Sequence, residues 1–319
     1  MDTFWRCVVN AWITLVLLLS FDPGDASVWD RWWSYEGING PAFWGRANPD
    51  WKLCQFGRLQ SPINIEPSRL LYDPNLKMLR IDAAMVAGLL LNTGHDITLE
   101  IKSEGLNHLN VTDGPLSYTY RLAEIKFHMA TNDSLGSEHR VSGRSFPGEM
   151  HIIAYNSDLY RNVTEARRSV KGLVIIAVFI EIGKEVHRQF FVVSRQLKWL
   201  RFKGSMRQVG PVPLNEILPK TAEYVTYEGS LTQPGCYESV TWIIMNKPLI
   251  VGRDQFTDLR FFFNGKRNLP GLSLEVNSRP LMPLNQRVVR TNINSHKQLS
   301  ICSMKKDTQY QVNLKYKST

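Results

Sequence analysis

Five short runs rich in β-branched residues constrain this chain more than anything else in it: HDITLEI, RLAEIKFHM, GEMHIIAY, GLVIIAVFIEI and ESVTWIIMN. Gly, Asn, Asp or Pro separates them, and β-branched side chains suit a pleated, half-buried surface better than a helix. Strands at this spacing, with few long helical patterns, predict a single sheet-dominated domain, mainly β (α+β). PLNEIL, residues 213–218, is expected to form one short helix. Residues 28–51 carry Trp29, Trp32, Trp33, Tyr35, Phe43, Trp44 and Trp51 among Gly and Pro without regular periodicity. That pattern predicts an aromatic-packed coil covering the core rather than a helix. With 319 residues, 43% of them hydrophobic and 11% aromatic, the chain has apolar material enough for such a core.

The ends differ from the middle. Residues 1–26 read as an export signal: Arg6 precedes the apolar run VVNAWITLVLLLSF, and GDAS offers a small-x-small cleavage point after Ala26. That run is short for a bilayer span, and no later stretch reaches about 18 uninterrupted apolar residues. A secreted, extracellular protein without membrane insertion is therefore expected, with a domain over 27–291 and a polar, basic tail over 292–319. YQVNLKY in the tail alternates as an edge strand would. Export agrees with three glycosylation sequons, at Asn110, Asn132 and Asn162. The exported chain keeps three cysteines, Cys54, Cys236 and Cys302, and an odd count leaves one thiol over. If Cys54 pairs with Cys236, the loop-entropy model gives roughly 5 kcal/mol for so long a loop. Cys302 is then free for an intermolecular disulfide or for capping by a small thiol. The formal charge is +9, and losing residues 1–26 removes one arginine and three aspartates, leaving about +11. Such a surface favours anionic partners, acidic glycans or an acidic receptor face rather than nucleic acid in an exported chain.

Within RLAEIKFHM, Lys126 and His128 stand two apart and so face one side of a strand, while His151 stands in GEMHIIAY. Two imidazoles on neighbouring strands could converge on one cation, since neutral His is a common zinc ligand, although lone histidines are more often core or surface residues.

From about residue 32 to residue 291 the chain resembles the α-carbonic anhydrase family. The motifs are YEGINGPAFW, RLQSPINIEP, NTGH, GPLSYTYRL, GSEH, GSLTQPGCYESVTW and SRPLMPLNQR, in the family order. The resemblance implies a twisted, mostly antiparallel sheet of about ten strands with short peripheral helices. It implies a zinc site in which a His-Phe-His strand supplies two ligands and a neighbouring strand the third. Here those positions are Lys126, His128 and His151. A lysine ligates only as the neutral amine, and taking it from a reference pKa near 10.4 to neutral at pH 7 costs roughly 4 to 5 kcal/mol. Zinc is therefore expected to be lost or weak, with no working cofactor.

The same resemblance assigns His95 to the proton-shuttle position, Thr232 and Glu138 to the pair that orients zinc hydroxide, and Glu149 to the carboxylate behind the third ligand. All are expected to be vestigial, because without zinc nothing lowers the pKa of the attacking water. Ile153 and Ile175 stand where the substrate pocket usually has valines, beside Leu231, Val240 and Trp242. Glu124 stands where a glutamine usually supports the first histidine, and a buried Glu124–Lys126 ion pair is expected in its place. Cys54 and Cys236 fall where extracellular members place their disulfide. The lost ligand, the CYE segment and the RTNIN continuation are similar to the secreted, acatalytic carbonic anhydrase-related members of types X and XI. That implies an extracellular protein-binding role with a neurexin-type receptor as partner. That subgroup loses the third ligand too, whereas His151 is retained here, so a weakly active zinc enzyme with a degenerate site stays open as the alternative.

Overall fold

The GLVIIAVFIEI run lies in the middle of a sheet, and the packing on both its faces explains why it is apolar throughout. Its alternate residues Leu173, Ile175, Ala177 and Phe179 join one buried cluster, and Val174, Ile176, Val178 and Ile180 join another on the opposite face. The computed structural model describes residues 33–82, 85–102, 108–260, 262–273 and 275–294. The export signal, Cys302, YQVNLKY, Trp29 and Trp32 lie outside the described residues.

Eight strands carry the architecture: β1 (Met85–Asn92), β2 (Ile97–Ile101), β3 (Tyr120–Met129), β4 (Gly148–Asn156), β5 (Leu173–Gly183), β6 (Met206–Pro213), β7 (Tyr224–Gly229) and β8 (Val240–Met245). They lie in the order β6-β1-β2-β3-β4-β5-β8-β7. Every neighbouring pair is antiparallel except β5 with β8. Among the described residues the sheet has 13 strands where about ten are expected. The excess lies in strands of two or three residues, such as Leu71–Tyr72, Leu79–Ile81 and Arg290–Thr291. All five β-branched runs are strands.

The N-terminal aromatic segment corrects the expectation of a coil without helix. Gly37–Asn39 and Pro49–Trp51 are 3-10 turns, while Trp44–Ala47 and Leu53–Phe56 are single α-helical turns. Turns this short carry no 3.6-residue pattern, so periodicity does not reveal them. They form a third buried cluster of Trp33, Tyr35, Trp44, Trp51, Cys54 and Cys236. The Cys54–Cys236 disulfide staples that cover to the loop after β7 across 182 residues of sequence. PLNEIL yields the helix Leu214–Ile217. Two further helices, Phe191–Leu197 and Arg253–Asp258, pack beside the sheet.

Candidate functional site

Sheet register assembles the site. In β3 and β4, Lys126 lies opposite His151 and His128 opposite Glu149, so the four side chains share one face. Farther along that face Glu124 lies opposite Ile153, Ile153 opposite Ile175, and Ile175 beside Trp242. Ile153, Ile175, Val240 and Trp242 are all buried and Leu231 packs against them, which makes an apolar wall next to the histidines.

His128 Nδ1 lies 2.7 Å from the Asn277 carbonyl, and His151 Nε2 lies 2.8 Å from Glu149 Oε1. Nε2 of His128 and Nδ1 of His151 are the ring nitrogens outside these bonds. The two rings are 4.3 Å apart between centroids. Glu149 also accepts from the His139 backbone N–H at 2.8 Å and lies 2.7 Å from His139 Nδ1. Burial raises the Glu149 carboxyl, but His139 and His151 outweigh it and hold the group well below the usual carboxylate range. Burial and the neighbouring His128 lower His151, against the pull of Glu149 and Glu138. His139 Nε2 meets the Tyr227 hydroxyl at 2.7 Å, so both its ring nitrogens are engaged within the fold.

Lys126 departs most from what the resemblance implies, and its partner is not the expected one. Glu124 pairs with Arg167 at 2.5 Å, so the expected Glu124–Lys126 ion pair is corrected. Arg167 follows the one-turn helix Val163–Ala166, which the sequence pattern does not reveal. Lys126 Nζ instead donates to Asp96 Oδ2 at 3.2 Å and to Gln233 Oε1 at 2.9 Å. Gln233 Nε2 closes the triangle by donating to the same Asp96 oxygen at 2.6 Å. The other oxygen of Asp96 accepts from the Thr98 and Thr93 hydroxyls at 2.7 and 2.8 Å. Burial alone would raise the Asp96 carboxyl, but Lys126 and the bonds from Thr98, Thr93 and Gln233 hold it well below the usual range. The Lys126–Asp96 pair is largely out of water, with 12% and 2% of the side chains exposed. The strand pattern of RLAEIKFHM points to neither partner; Asp96 reaches Lys126 because Thr98 lies opposite Lys126 across β2 and β3, which brings Asp96, two residues earlier, to the same face.

The other anticipated residues divide. Glu138 is buried, with Oε1 accepting from the Arg279 backbone N–H at 2.9 Å and Oε2 without a hydrogen-bond partner. Thr232 is buried too, but no hydrogen bond joins it to Glu138 among the described residues, so the implied pair is not formed. His95 stacks on Trp33 at 3.8 Å between centroids and lines an outer cavity of about 620 Å³ with Tyr35, Lys203 and Lys266. Asn132 and Asn162 are exposed, and Asn162 caps the Val163–Ala166 helix; Asn110 is half-buried at the start of a short strand.

The donor set decides the fit to zinc. His128, Glu138 and His151 bring ligand atoms within 4.8 Å of one another. A catalytic zinc site of the implied kind needs three imidazoles and an open fourth position. Here the first position is an amine bonded to a carboxylate and an amide, so the residues present do not fit that set.

Residues 39–293 match the model of the eukaryotic-type carbonic anhydrase family. The chain is 38% identical over 265 residues to carbonic anhydrase-like protein 2 of Caenorhabditis elegans, covering 82% of this chain and 79% of that protein. It is 31% identical over 327 aligned residues to carbonic anhydrase-like protein 1 of the same organism, covering 82% of this chain and 90% of that protein.

Proposed function

The chain belongs to the eukaryotic-type carbonic anhydrase family, and we propose that it is a secreted, catalytically inactive member whose stable sheet displays an extracellular protein-binding surface. One observation carries the reading: the amine of Lys126 stands at the first ligand position and is bonded to Asp96 and Gln233. To ligate zinc, Lys126 would have to lose a proton and leave Asp96, a buried carboxylate that would then have no cation. A missing second-sphere partner alone costs about 10- to 100-fold in metal affinity, and replacing a direct ligand costs more. The buried Cys54–Cys236 disulfide supports an oxidising compartment. Among the described residues no helix is long and apolar enough to cross a membrane. The likeness to the acatalytic subgroup supports a neurexin-type receptor as the protein partner.

The test is zinc content by mass spectrometry together with carbon dioxide hydration, on the wild type, Lys126→His and Lys126→His/Asp96→Ala. The expected result is an inactive wild type with far less than one zinc per chain, and about one zinc in the double variant. Stoichiometric zinc with hydration in the wild type would return the protein to the enzymes. A double variant that stays empty would show that Lys126 is not what bars the metal. The orphaned Oε2 of Glu138 beside His128 and His151 favours a second reading, a weakly held cation at those three residues. Zinc in the wild type that disappears in Glu138→Gln would select it.

A further inference from the structure

Two segments of the described surface are rich in cations. Residues 195–207, RQLKWLRFKGSMR, hold Arg195, Lys198, Arg201, Lys203 and Arg207 and no acidic residue; residues 259–273 add Arg260, Lys266 and Arg267, again with none. The fold lays the two segments together, since the Phe263 N–H donates to the Arg201 carbonyl at 2.7 Å and the Lys203 N–H to the Gly265 carbonyl at 2.8 Å.

Of these cations, Arg260 pairs with Asp133, and three others lie over aromatic rings. Lys198 and Arg207 both lie over the ring of Trp199, at 5.4 and 5.5 Å, and Trp199 is 56% exposed. Arg267 lies over Phe202 at 5.7 Å, and Phe202 is stacked on Phe263. Among the described residues, none of Lys198, Arg201, Arg207, Lys266 and Arg267 forms an ion pair with a carboxylate. Asp258 is the acid that feels Lys198 and Arg201 through space. Aromatic contacts thus restrain the side chains and leave their charge available, which lowers the ordering cost of binding an anion. The strip also reaches the outer cavity, because Lys203 and Lys266 line it beside Trp33 and His95.

We propose that this strip binds a sulfated linear glycan lying across the mouth of that cavity. Spaced cations such as Lys198, Arg201, Arg207, Lys266 and Arg267, none of which forms an ion pair among the described residues, suit a flexible polyanion. The inference rests on the extracellular reading only for the supply of such a glycan, and it does not depend on the state of the metal pocket.

Purified full-length chain is applied to immobilised heparin and to a sulfopropyl matrix, and heparin oligosaccharide affinity is measured against salt. The wild type is expected to elute from heparin at distinctly higher salt than from sulfopropyl. Arg201→Gln/Lys266→Gln/Arg267→Gln is expected to lose at least about tenfold in affinity and to flatten the salt slope by about two to three, one per lost contact with the polyanion. A charge-matched control, Lys52→Gln/Lys220→Gln/Lys247→Gln, removes exposed lysines elsewhere and is expected to change little. Trp199→Ala leaves the charge intact and is expected to weaken binding several-fold by releasing Lys198 and Arg207, a loss that bulk charge does not explain. Equal weakening by the control, equal retention on both matrices, or unchanged heparin binding with loss of binding to a polyglutamate probe would overturn the proposal. The last outcome would assign the strip to an acidic protein. Melting temperatures of all variants separate lost binding from lost folding.

Discussion

Two kinds of cation in this molecule are solved in opposite ways. Lys126 sits inside the sheet face with an ionised carboxylate and an amide oxygen on its ammonium, so its charge is spent within the fold. Lys198, Arg207 and Arg267 lie on aromatic rings at the surface and keep their charge for whatever arrives. A buried charge needs a partner because desolvation costs several kcal/mol per ion, while an exposed one does not. The same residue types therefore stabilise in one region and recruit in the other.

The bluntest way to break the comparison is at the disulfide. Cys236 ends the loop that carries Gln233, and its N–H donates to the Gln233 carbonyl at 3.0 Å. Cys54→Ala/Cys236→Ala should cost about 5 kcal/mol by the chain-entropy account for so long a loop. Denaturant unfolding measures it, and elution from heparin below the melting transition should stay unchanged because the strip lies elsewhere. A loss under about 1 kcal/mol would mean that the cover is held by its aromatic packing alone.

Next in size is the buried pair. Lys126→Met leaves the Asp96 carboxylate without its cation, and Asp96→Asn leaves the ammonium without its anion; each should lose about 3–4 kcal/mol. Making both changes together should recover most of that loss, since two neutral groups in the same volume carry no unpaired charge. The double-mutant cycle is read from melting curves of the four proteins. If Lys126→Met melts at or above the wild-type temperature, Lys126 is not held as a buried ion pair, and the contrast with the surface strip disappears.

Particular residues mark where the sequence could be read and where it could not. The β-branched runs are legible because a pleated face imposes its own period, and the same period places Lys126 with His128. The partner of Lys126 is not legible from that strand. It depends on the register that sets Thr98 opposite Lys126 and on the turn in which the Asp96 N–H donates to the Thr93 hydroxyl. Glu124 satisfies the same two-residue spacing from Lys126, yet Arg167 takes it from a different segment. β6 is obscured by Gly210, Pro211 and Pro213, residues that an edge strand tolerates and a central strand does not. Its register with β1 shifts between Val209 and Val212.

The smallest expected effect sharpens the surface side of the contrast. The Phe191–Leu197 helix carries Arg195 and leads directly into Lys198 and Trp199. His187 fastens it, because the Phe190 N–H donates to His187 Nδ1 at 3.2 Å while Gln255 bonds the His187 backbone on both sides, at 2.8 and 3.0 Å. Burial lowers the pKa of His187 below its ordinary value, against a backbone bond that raises it. The folded state thus prefers the neutral ring, and the unfolded chain takes up the proton first as pH falls. The stabilisation is fully present above about pH 6.5 and is lost as pH drops through the lower folded value. A protonated Nδ1 also no longer accepts from Phe190. Acidification from pH 7.5 to 5.5 should lower the hydrogen-exchange protection of amides 190–197 by a few-fold, after correction for intrinsic rates, with little change in β3 and β4. His187→Gln should show low protection at both pH values. Equal pH dependence in the wild type and His187→Gln would mean that His187 does not set the helix, and that the strip stands on the aromatic contacts of Trp199 and Phe202 without it.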